Sequence, residues 1–376
     1  MSGLKLSPED ERHMDRALSL AVKGWGRVAP NPLVGAVVVK EGRTVGEGYH
    51  AEFGGDHAEV AALAEAGQGA EGATLYVGLE PCAHEGKTPA CTKAILGAGI
   101  RRVVYGCRDP DPVAGGGSEQ LRAAGLDVEG GVLGMAAARV NAPFIWDRLG
   151  RGPWVSLKLG LSLDGRIAAR PGDRTEITGP ETKRFVHRLR SGHDAVVVGG
   201  RTALIDDPLL TVREGPTPRV PPTRVILDPG LDLPVTSQLC RSVEQAPLLV
   251  VCRGAADPGA RSRLEDAGAV VEEVPGTETG LDLQATVRAL GSRGLKSLLV
   301  EGGGRLAAGL LADGLVRRQY LVYAPVVLGS AGVPGVGSGV EAEPEHWNVV
   351  RRSALGEDSL IELEDRRARE ALKEAA

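Results

Sequence analysis

Three residues able to hold one metal ion lie far apart in this chain, and its fold must bring them together. They are His57, in His57-Ala58-Glu59, then Cys82, in Pro81-Cys82, and Cys91. One imidazole and two thiolates suit Zn²⁺ and leave its fourth position open to water, the layout of a catalytic rather than a structural site. Glu59 follows the histidine by two residues, where a carboxylate can carry protons to and from that water. The segment between the cysteines, Ala83-His84-Glu85-Gly86-Lys87-Thr88-Pro89-Ala90, is polar and ends close to a proline, so it reads as a loop. The competing reading makes His84 a fourth protein ligand, which would close the site and make it structural.

Around these residues, β-branched apolar runs alternate with Ala/Leu-rich stretches. Residues 10–23 carry apolar positions at helical spacing behind Ser7-Pro8-Glu9, a helix start. Strands are predicted over 34–39, 44–49, 74–78 and 102–107, and helices over 57–67, 91–98 and 118–124. The metal-bearing segments then open helices, where the dipole favours thiolate over thiol. Gly150-Arg151-Gly152-Pro153 marks a boundary that divides the chain into domains 1–150 and 151–376. Beyond it the alternation restarts, with strands over 154–159, 195–199, 224–227, 247–252, 270–274, 297–300 and 319–324 and helices over 181–191, 283–290 and 306–312. The charged, Ala-rich tail 366–376 reads as a frayed helix. The whole pattern implies an α/β protein with helices on the faces of layered sheets.

Composition narrows the setting. A length of 376 residues accommodates two domains, and 42% hydrophobic with 25% charged residues is ordinary for a soluble globular chain. Nothing approaches the ~20 apolar residues of a membrane span, and no signal peptide is evident. Of five cysteines, two are claimed by the metal, which argues against a disulfide framework and for the cytoplasm. Cys107, Cys240 and Cys252 read as core or surface residues. A net charge of −5 disfavours a nucleic-acid partner, since phosphate neutralisation needs clustered Lys and Arg.

The second half has two loops of its own. Glu301-Gly302-Gly303-Gly304-Arg305 follows a predicted strand and precedes a helix, so its amides can crowd against a phosphate. It is not the G-x-G-x-x-G dinucleotide pattern. Gly199-Gly200-Arg201-Thr202 also begins where a strand ends, the usual place for ligand contacts in an open α/β sheet. Arg317-Arg318 reads as a solvated face.

The His-x-Glu and Pro-Cys pattern is that of zinc-dependent nucleobase deaminases, except that eight residues rather than two separate the cysteines. With that insert, with Ala29-Pro30-Asn31-Pro32-Leu33-Val34-Gly35 and with Gly48-Tyr49-His50, the first half resembles one half of the bifunctional riboflavin-biosynthesis deaminase/reductase family. The second half resembles the other in Leu157-Lys158-Leu159-Gly160-Leu161-Ser162-Leu163-Asp164-Gly165-Arg166, Ile177-Thr178-Gly179-Pro180, Asp206-Asp207-Pro208, Leu210-Thr211-Val212-Arg213 and Glu301-Gly302-Gly303. The resemblance implies a cytidine-deaminase-like α/β/α layered domain followed by a dihydrofolate-reductase-like α/β domain, with Zn²⁺ and NADPH as cofactors. It implies hydrolytic deamination of 2,5-diamino-6-ribosylamino-4(3H)-pyrimidinone 5′-phosphate, then reduction of the ribosyl group to give 5-amino-6-ribitylamino-uracil 5′-phosphate.

Carried onto this chain, the resemblance makes His57, Cys82 and Cys91 the metal ligands and Glu59 the catalytic acid/base. Asn31, His50, His84 and Lys87 would meet the deaminase substrate, Lys87 as a point charge for phosphate. NADPH contacts fall on Gly160, Thr202, Asp206, Gly303, Gly304, Arg305 and Leu306. Substrate contacts in the reductase fall on Lys158, Arg190, Leu210, Arg213 and Glu301, the two arginines offering forks to a sugar phosphate. Two features depart from the family. Arg174-Thr175-Glu176 precedes Ile177 where the family has an aromatic residue, and Val316-Arg317-Arg318 replaces Val-Asp-Glu. The alternatives are a deaminase, acting on the same substrate or on nucleosides or tRNA, whose second domain is inactive or merely binds, and a non-enzymatic NADPH-binding scaffold. The long insert and acidic balance disfavour nucleosides or tRNA, and Glu59 beside a full ligand set argues against the scaffold. The architecture is compatible with a homo-oligomer.

Overall fold

The first helix, Pro8–Ala21, opens on a capping box: the Asp10 amide donates to Ser7 Oγ and the Ser7 amide to the Asp10 carboxylate, both at 3.1 Å. Asp10 also takes the Tyr76 hydroxyl at 2.8 Å and Arg102 Nη1 at 2.7 Å, so the cap is anchored to the sheet behind it. The computed structural model describes residues 7–84, 90–111, 113–278, 280–337 and 347–376, which leaves Lys87 outside the described residues. The chain divides into two compact units, Met1–Arg151 with Ala368–Ala376, and Gly152–Arg367. No helix among the described residues is long and apolar enough to cross a membrane.

The first unit is built on a five-stranded sheet in the order Arg43–Tyr49, Gly35–Lys40, Thr74–Leu79, Arg102–Cys107, Asp127–Gly130. The Gly35–Lys40 strand pairs antiparallel with both neighbours, whereas the last two pairings are parallel. Helices cover both faces. A side chain at Gly35 would strike Ala17 of the first helix, and one at Gly48 would lie 2.4 Å from the Ala58 carbonyl in helix Ala58–Ala66. That close approach seats the head of the His57-Ala58-Glu59 helix on the sheet. Ala36, Val38, Leu75, Val77, Ile95 and Val103 are buried beneath it.

The second unit carries a nine-stranded sheet. Its order is Val270–Val274, Leu248–Arg253, Thr223–Leu227, Ala195–Gly199, Ser297–Glu301, Trp154–Leu161, Arg318–Tyr323, Asp358–Asp365, Trp347–Leu355. The first seven strands run parallel and the last two form an antiparallel hairpin. The chain moves outward from Ala195–Gly199 and then returns to insert Ser297–Glu301 between that strand and Trp154–Leu161. This makes a topological switch point, where ligands bind beyond the carboxyl ends of the strands.

Several sequence expectations are corrected. The tail is a helix, Arg366–Ala375, that buries Ala368, Ala371, Leu372 and Ala375, and its body packs with the first unit: the Arg108 amide donates to Ala375 O at 2.7 Å. Apolar residues at i, i+3, i+4 and i+7 give it a buried stripe that holds it in place. Arg317 and Arg318 are buried rather than solvated. Arg317 pairs with Asp365, and Arg318 meets Glu364 at 3.3 Å while its guanidinium lies over the Trp154 ring. The hairpin Trp347–Leu355/Asp358–Asp365 and the helices Gly134–Val140, Ala142–Arg148 and Pro258–Asp266 were not predicted.

Candidate active sites

In the first unit His57 is the N-cap of Ala58–Ala66, Cys91 opens Cys91–Gly97, and Cys82 lies in the loop leaving Thr74–Leu79. Their ligand atoms all lie within 4.8 Å of one another. His57 Nδ1 is 3.1 Å from Cys91 Sγ and 3.6 Å from Cys82 Sγ. Tetrahedral zinc, with nitrogen near 2.0 Å and sulfur near 2.3 Å, sets an N–S edge of roughly 3.6 Å. The donor set and its spacing therefore fit zinc. The electrostatics agree. The hydrogen bond with Cys91, and after it those from His57 and the Cys91 amide, pulls the Cys82 thiol down to about 4 against burial. Its hydrogen bond with Cys82, together with burial, pushes Cys91 far up. A divalent cation held between the two sulfurs would favour the thiolate form of both.

Glu59, in the first turn of its helix, is 4% exposed, and burial pushes its carboxyl up. His84 does not join the metal cluster, so its reading as a fourth ligand finds no support; its Nδ1 is buried without a hydrogen-bond partner. Asn31, His50 and His57 are brought together. His50 Nδ1 lies 2.9 Å from the Asp56 carbonyl, which can only accept, so Nδ1 carries the proton and Nε2 takes a hydrogen bond from Asn31 Nδ2 at 3.1 Å. The His50 ring stands edge-on to His57, with centroids 5.6 Å apart. Burial lowers the His50 pKa, which keeps it neutral.

In the second unit the two glycine segments meet at the switch point. Helix Gly200–Asp206 starts directly after strand Ala195–Gly199, and helix Gly304–Ala312 starts just beyond Ser297–Glu301. Gly302 and Gly303 have φ of 74° and 78°, a left-handed pair that only glycine adopts freely. A side chain at Gly303 would come within 3.1 Å of Thr202 Oγ1. Both helix heads open on a cleft of about 1420 Å³ whose walls include Thr202, Asp206, Gly303, Gly304, Arg305 and Leu306. Burial raises the Asp206 carboxyl against the nearby Arg174. Arg174 and Arg201, both within segments noted in the sequence, also face the cleft, as do Arg170 and Lys183, which carry no sequence signal of their own. Glu176 lines it too, in an ion pair with Lys183.

The residues expected to meet the reductase substrate lie elsewhere in this unit. The Arg190 guanidinium is held by Glu301 through two bonds of 2.6 and 2.8 Å, and its Nη1 donates to the Thr211 carbonyl at 3.0 Å. Burial would raise the Glu301 carboxyl, but the charge and bonds of Arg190 hold it below its ordinary value. Half-buried Lys158 has its pKa lowered by desolvation against the pull of Glu301. A side chain at Gly160 would meet Lys158 Nζ and Thr178 Cγ2, each at 3.3 Å, and Thr178 lines the cleft. Leu210 is a core residue with φ of 54°. Arg213 is exposed, with its amide donating to His187 Nδ1 at 3.0 Å.

Comparison with known proteins fits this geometry. Residues 7–107 match the family model of the cytidine and deoxycytidylate deaminase zinc-binding region, and residues 153–361 match that of the RibD C-terminal domain. The chain is 40% identical to the riboflavin biosynthesis protein RibD of Aquifex aeolicus over 355 residues, covering 94% of this chain and 97% of that one. It is also 40% identical to the Escherichia coli protein of the same name over 333 residues, 86% of this chain and 89% of that one. Among solved structures it resembles a diaminohydroxyphosphoribosylaminopyrimidine deaminase/5-amino-6-(5-phosphoribosylamino)uracil reductase from Thermotoga maritima. That match has a TM-score of 0.79 and 36% identity, over 95% of this chain and 99% of that one. Acinetobacter baumannii RibD matches with a TM-score of 0.79 and 33% identity, over the same shares.

Proposed function

Because this chain belongs to the RibD family of riboflavin-biosynthesis proteins, we propose that its two units carry out the two successive steps named above: deamination in the first, reduction in the second. The observation that carries the reading is the His57–Cys82–Cys91 cluster with buried Glu59 beside it. When bound there, zinc lowers the pKa of water toward about 7 and so supplies hydroxide at neutral pH. Glu59 then does the proton work: it takes a proton from water, passes it to a ring nitrogen, and helps protonate departing ammonia. Its burial suits this, because a carboxyl pushed up holds a proton more readily near neutrality. Asn31, whose amide nitrogen is spent on His50, has its carbonyl oxygen left to orient the pyrimidine. The unpartnered His84 nitrogen suits a substrate polar group, and Lys87 suits its phosphate.

In the second unit NADPH supplies the hydride. The amides at the heads of Gly200–Asp206 and Gly304–Ala312, with Thr202, Arg305 and Leu306 beside them, would hold its phosphates. Asp206, its carboxyl raised by burial, is suited to hold a proton at the cleft wall. Lys158 forms the wall toward the substrate, and Gly160, between Lys158 and the cleft-lining Thr178, leaves room for the cofactor. Arg190, locked by Glu301, positions that wall, which leaves exposed Arg213 to take the sugar phosphate. Five cysteines without a disulfide suit a reducing compartment such as the cytoplasm.

The test supplies zinc-loaded protein with the diamino-pyrimidinone ribosyl phosphate, with and without NADPH, and follows ammonia release and NADPH oxidation separately. Ammonia without cofactor, then NADPH consumption tied to the deaminated product, is the expected result. Glu59→Gln retains its zinc and loses deamination by about 10³-fold. Ammonia without NADPH consumption would leave a deaminase beside an inactive second unit, and no ammonia would overturn the first.

A further inference from the structure

The turn Ser162-Leu163-Asp164-Gly165-Arg166 has no part in either site as described, yet its carboxylate is fully engaged. Asp164 Oδ1 accepts the Ser162 hydroxyl at 2.6 Å and the Leu328 amide at 3.0 Å, and Oδ2 accepts the Gly329 amide at 2.8 Å. We propose that Asp164 is a positioning residue for the cofactor, holding segment 326–337 as a strap across the head of helix Gly304–Ala312. This rests on the reading of the cleft as the NADPH site.

The strap is tied at both ends. On the turn side, the Gly335 amide donates to Gly165 O at 2.9 Å, Arg166 Nη1 to Gly332 O at 3.3 Å, and Val333 pairs with Ala168. On the cofactor side, the Gly337 amide donates to Gly304 O at 2.9 Å, and a side chain at Gly304 would lie 2.5 Å from Pro334 O. Gly332, Val333, Pro334 and Gly337 line the cleft, whereas Asp164 and Arg166 do not. Asp164 therefore acts through the strap and not on the ligand. Apolar burial is a poor substitute anchor, because Val326 and Val327 are 38% and 69% exposed. Two consecutive amides bound to one carboxylate fix the plane of the peptide between them, and the Ser162 hydroxyl, which also accepts the Arg166 amide at 2.9 Å, fixes the carboxylate. Those bonds, Ser162's foremost, hold the Asp164 carboxyl down to about 2, so it is ionised throughout the neutral range.

The experiment titrates the full chain with NADPH by nucleotide fluorescence and follows limited proteolysis within 326–337. Asp164→Ala is expected to weaken NADPH by about tenfold and to expose the strap to cleavage, with NADPH protecting the wild type. Asp164→Asn, whose amide oxygen still accepts one of the two amides, recovers part of both effects. In turnover, the KM for NADPH rises while kcat at saturation is retained, and ammonia release reports an intact first unit. Arg166→Met, which removes only the Gly332 bond, shifts affinity in the same direction by less and serves if the alanine variant does not fold. Unchanged NADPH affinity in the Asp164 variants overturns the proposal, as does weakened affinity with the strap no more cleavable. Wild-type protein that binds no NADPH would overturn the cofactor reading itself and this inference with it.

Discussion

Glu301→Gln probes the second unit most sharply, because it leaves two cations facing a neutral amide. The Arg190 and Glu301 side chains are only 11% and 12% exposed, and half-buried Lys158 interacts with the same carboxylate. The carboxylate takes two short bonds from one guanidinium, at 2.6 and 2.8 Å. Removing one partner of such a buried pair costs about 3–5 kcal/mol, since the remaining charge stays desolvated. For a domain of about 200 residues, each kcal/mol lowers the midpoint by roughly 2–4 °C, so the second unit should melt about 10 °C lower. Adding Lys158→Met removes the second cation and should return part of that loss, with a coupling of about 1 kcal/mol or more. The pH dependence has a definite sign. Glu301 is held below its ordinary value, so its stabilisation is complete above the normal carboxyl range and fades as pH falls through the lower folded value; the glutamine variant lacks that component. Calorimetry of the full chain from pH 8 down to about pH 3 reads all three effects, the pH component appearing below the ordinary carboxyl value. A loss under about 1 kcal/mol, or strictly additive variants, would refute the account and return Arg190 to the role of a free phosphate fork.

Two further outcomes follow from the geometry. Glu176 and Lys183 face the cleft as an exposed ion pair worth up to about 1 kcal/mol, so Glu176→Gln should tighten NADPH by up to about fivefold and Lys183→Met should weaken it comparably. Titrations at low and high salt check this, since both effects should shrink as salt screens the charges. Asp10→Asn should destabilise the first unit by about 3 kcal/mol at neutral pH, because Arg102 and Tyr76 lose a 4%-exposed carboxylate. Burial alone would raise that carboxyl, but Arg102, Ser7 and Tyr76 hold it far below the usual range. Its stabilisation is thus present above about pH 4 and lost below; urea titrations at pH 3, 5 and 7 should show a flatter acid limb in the variant.

The metal site was legible because its chemistry is local. His57 and Glu59 occupy one helix head, and Cys82 and Cys91 flank one loop, so residue type and spacing already restrict the ligand set. The glycine segments were legible for a similar reason: each sits immediately beyond a β-branched strand, and only left-handed glycines permit the turn at Gly302 and Gly303. The strap over Gly304 was not legible. Its contacts join residues near 165 to residues near 330, and no pattern in either segment names the other.

Buried charge marks where sequence reading fails, and the reason is geometric. Arg317 and Arg318 read as surface because an isolated guanidinium belongs in water. In the fold Arg318 stands directly across from Glu364 in the antiparallel pairing of Arg318–Tyr323 with Asp358–Asp365, and Arg317 is met by Asp365 one step further along. Each charge is tolerable inside only because the hairpin returns a carboxylate to its exact height. The register that does so is set by apolar residues, Tyr320, Val322 and Leu360, packed in one cluster. Arg190 and Glu301 repeat the pattern across 111 residues. In each case the apolar core chooses the pairing and the charges then lock it, so the charged partners become visible only after the strands are in place.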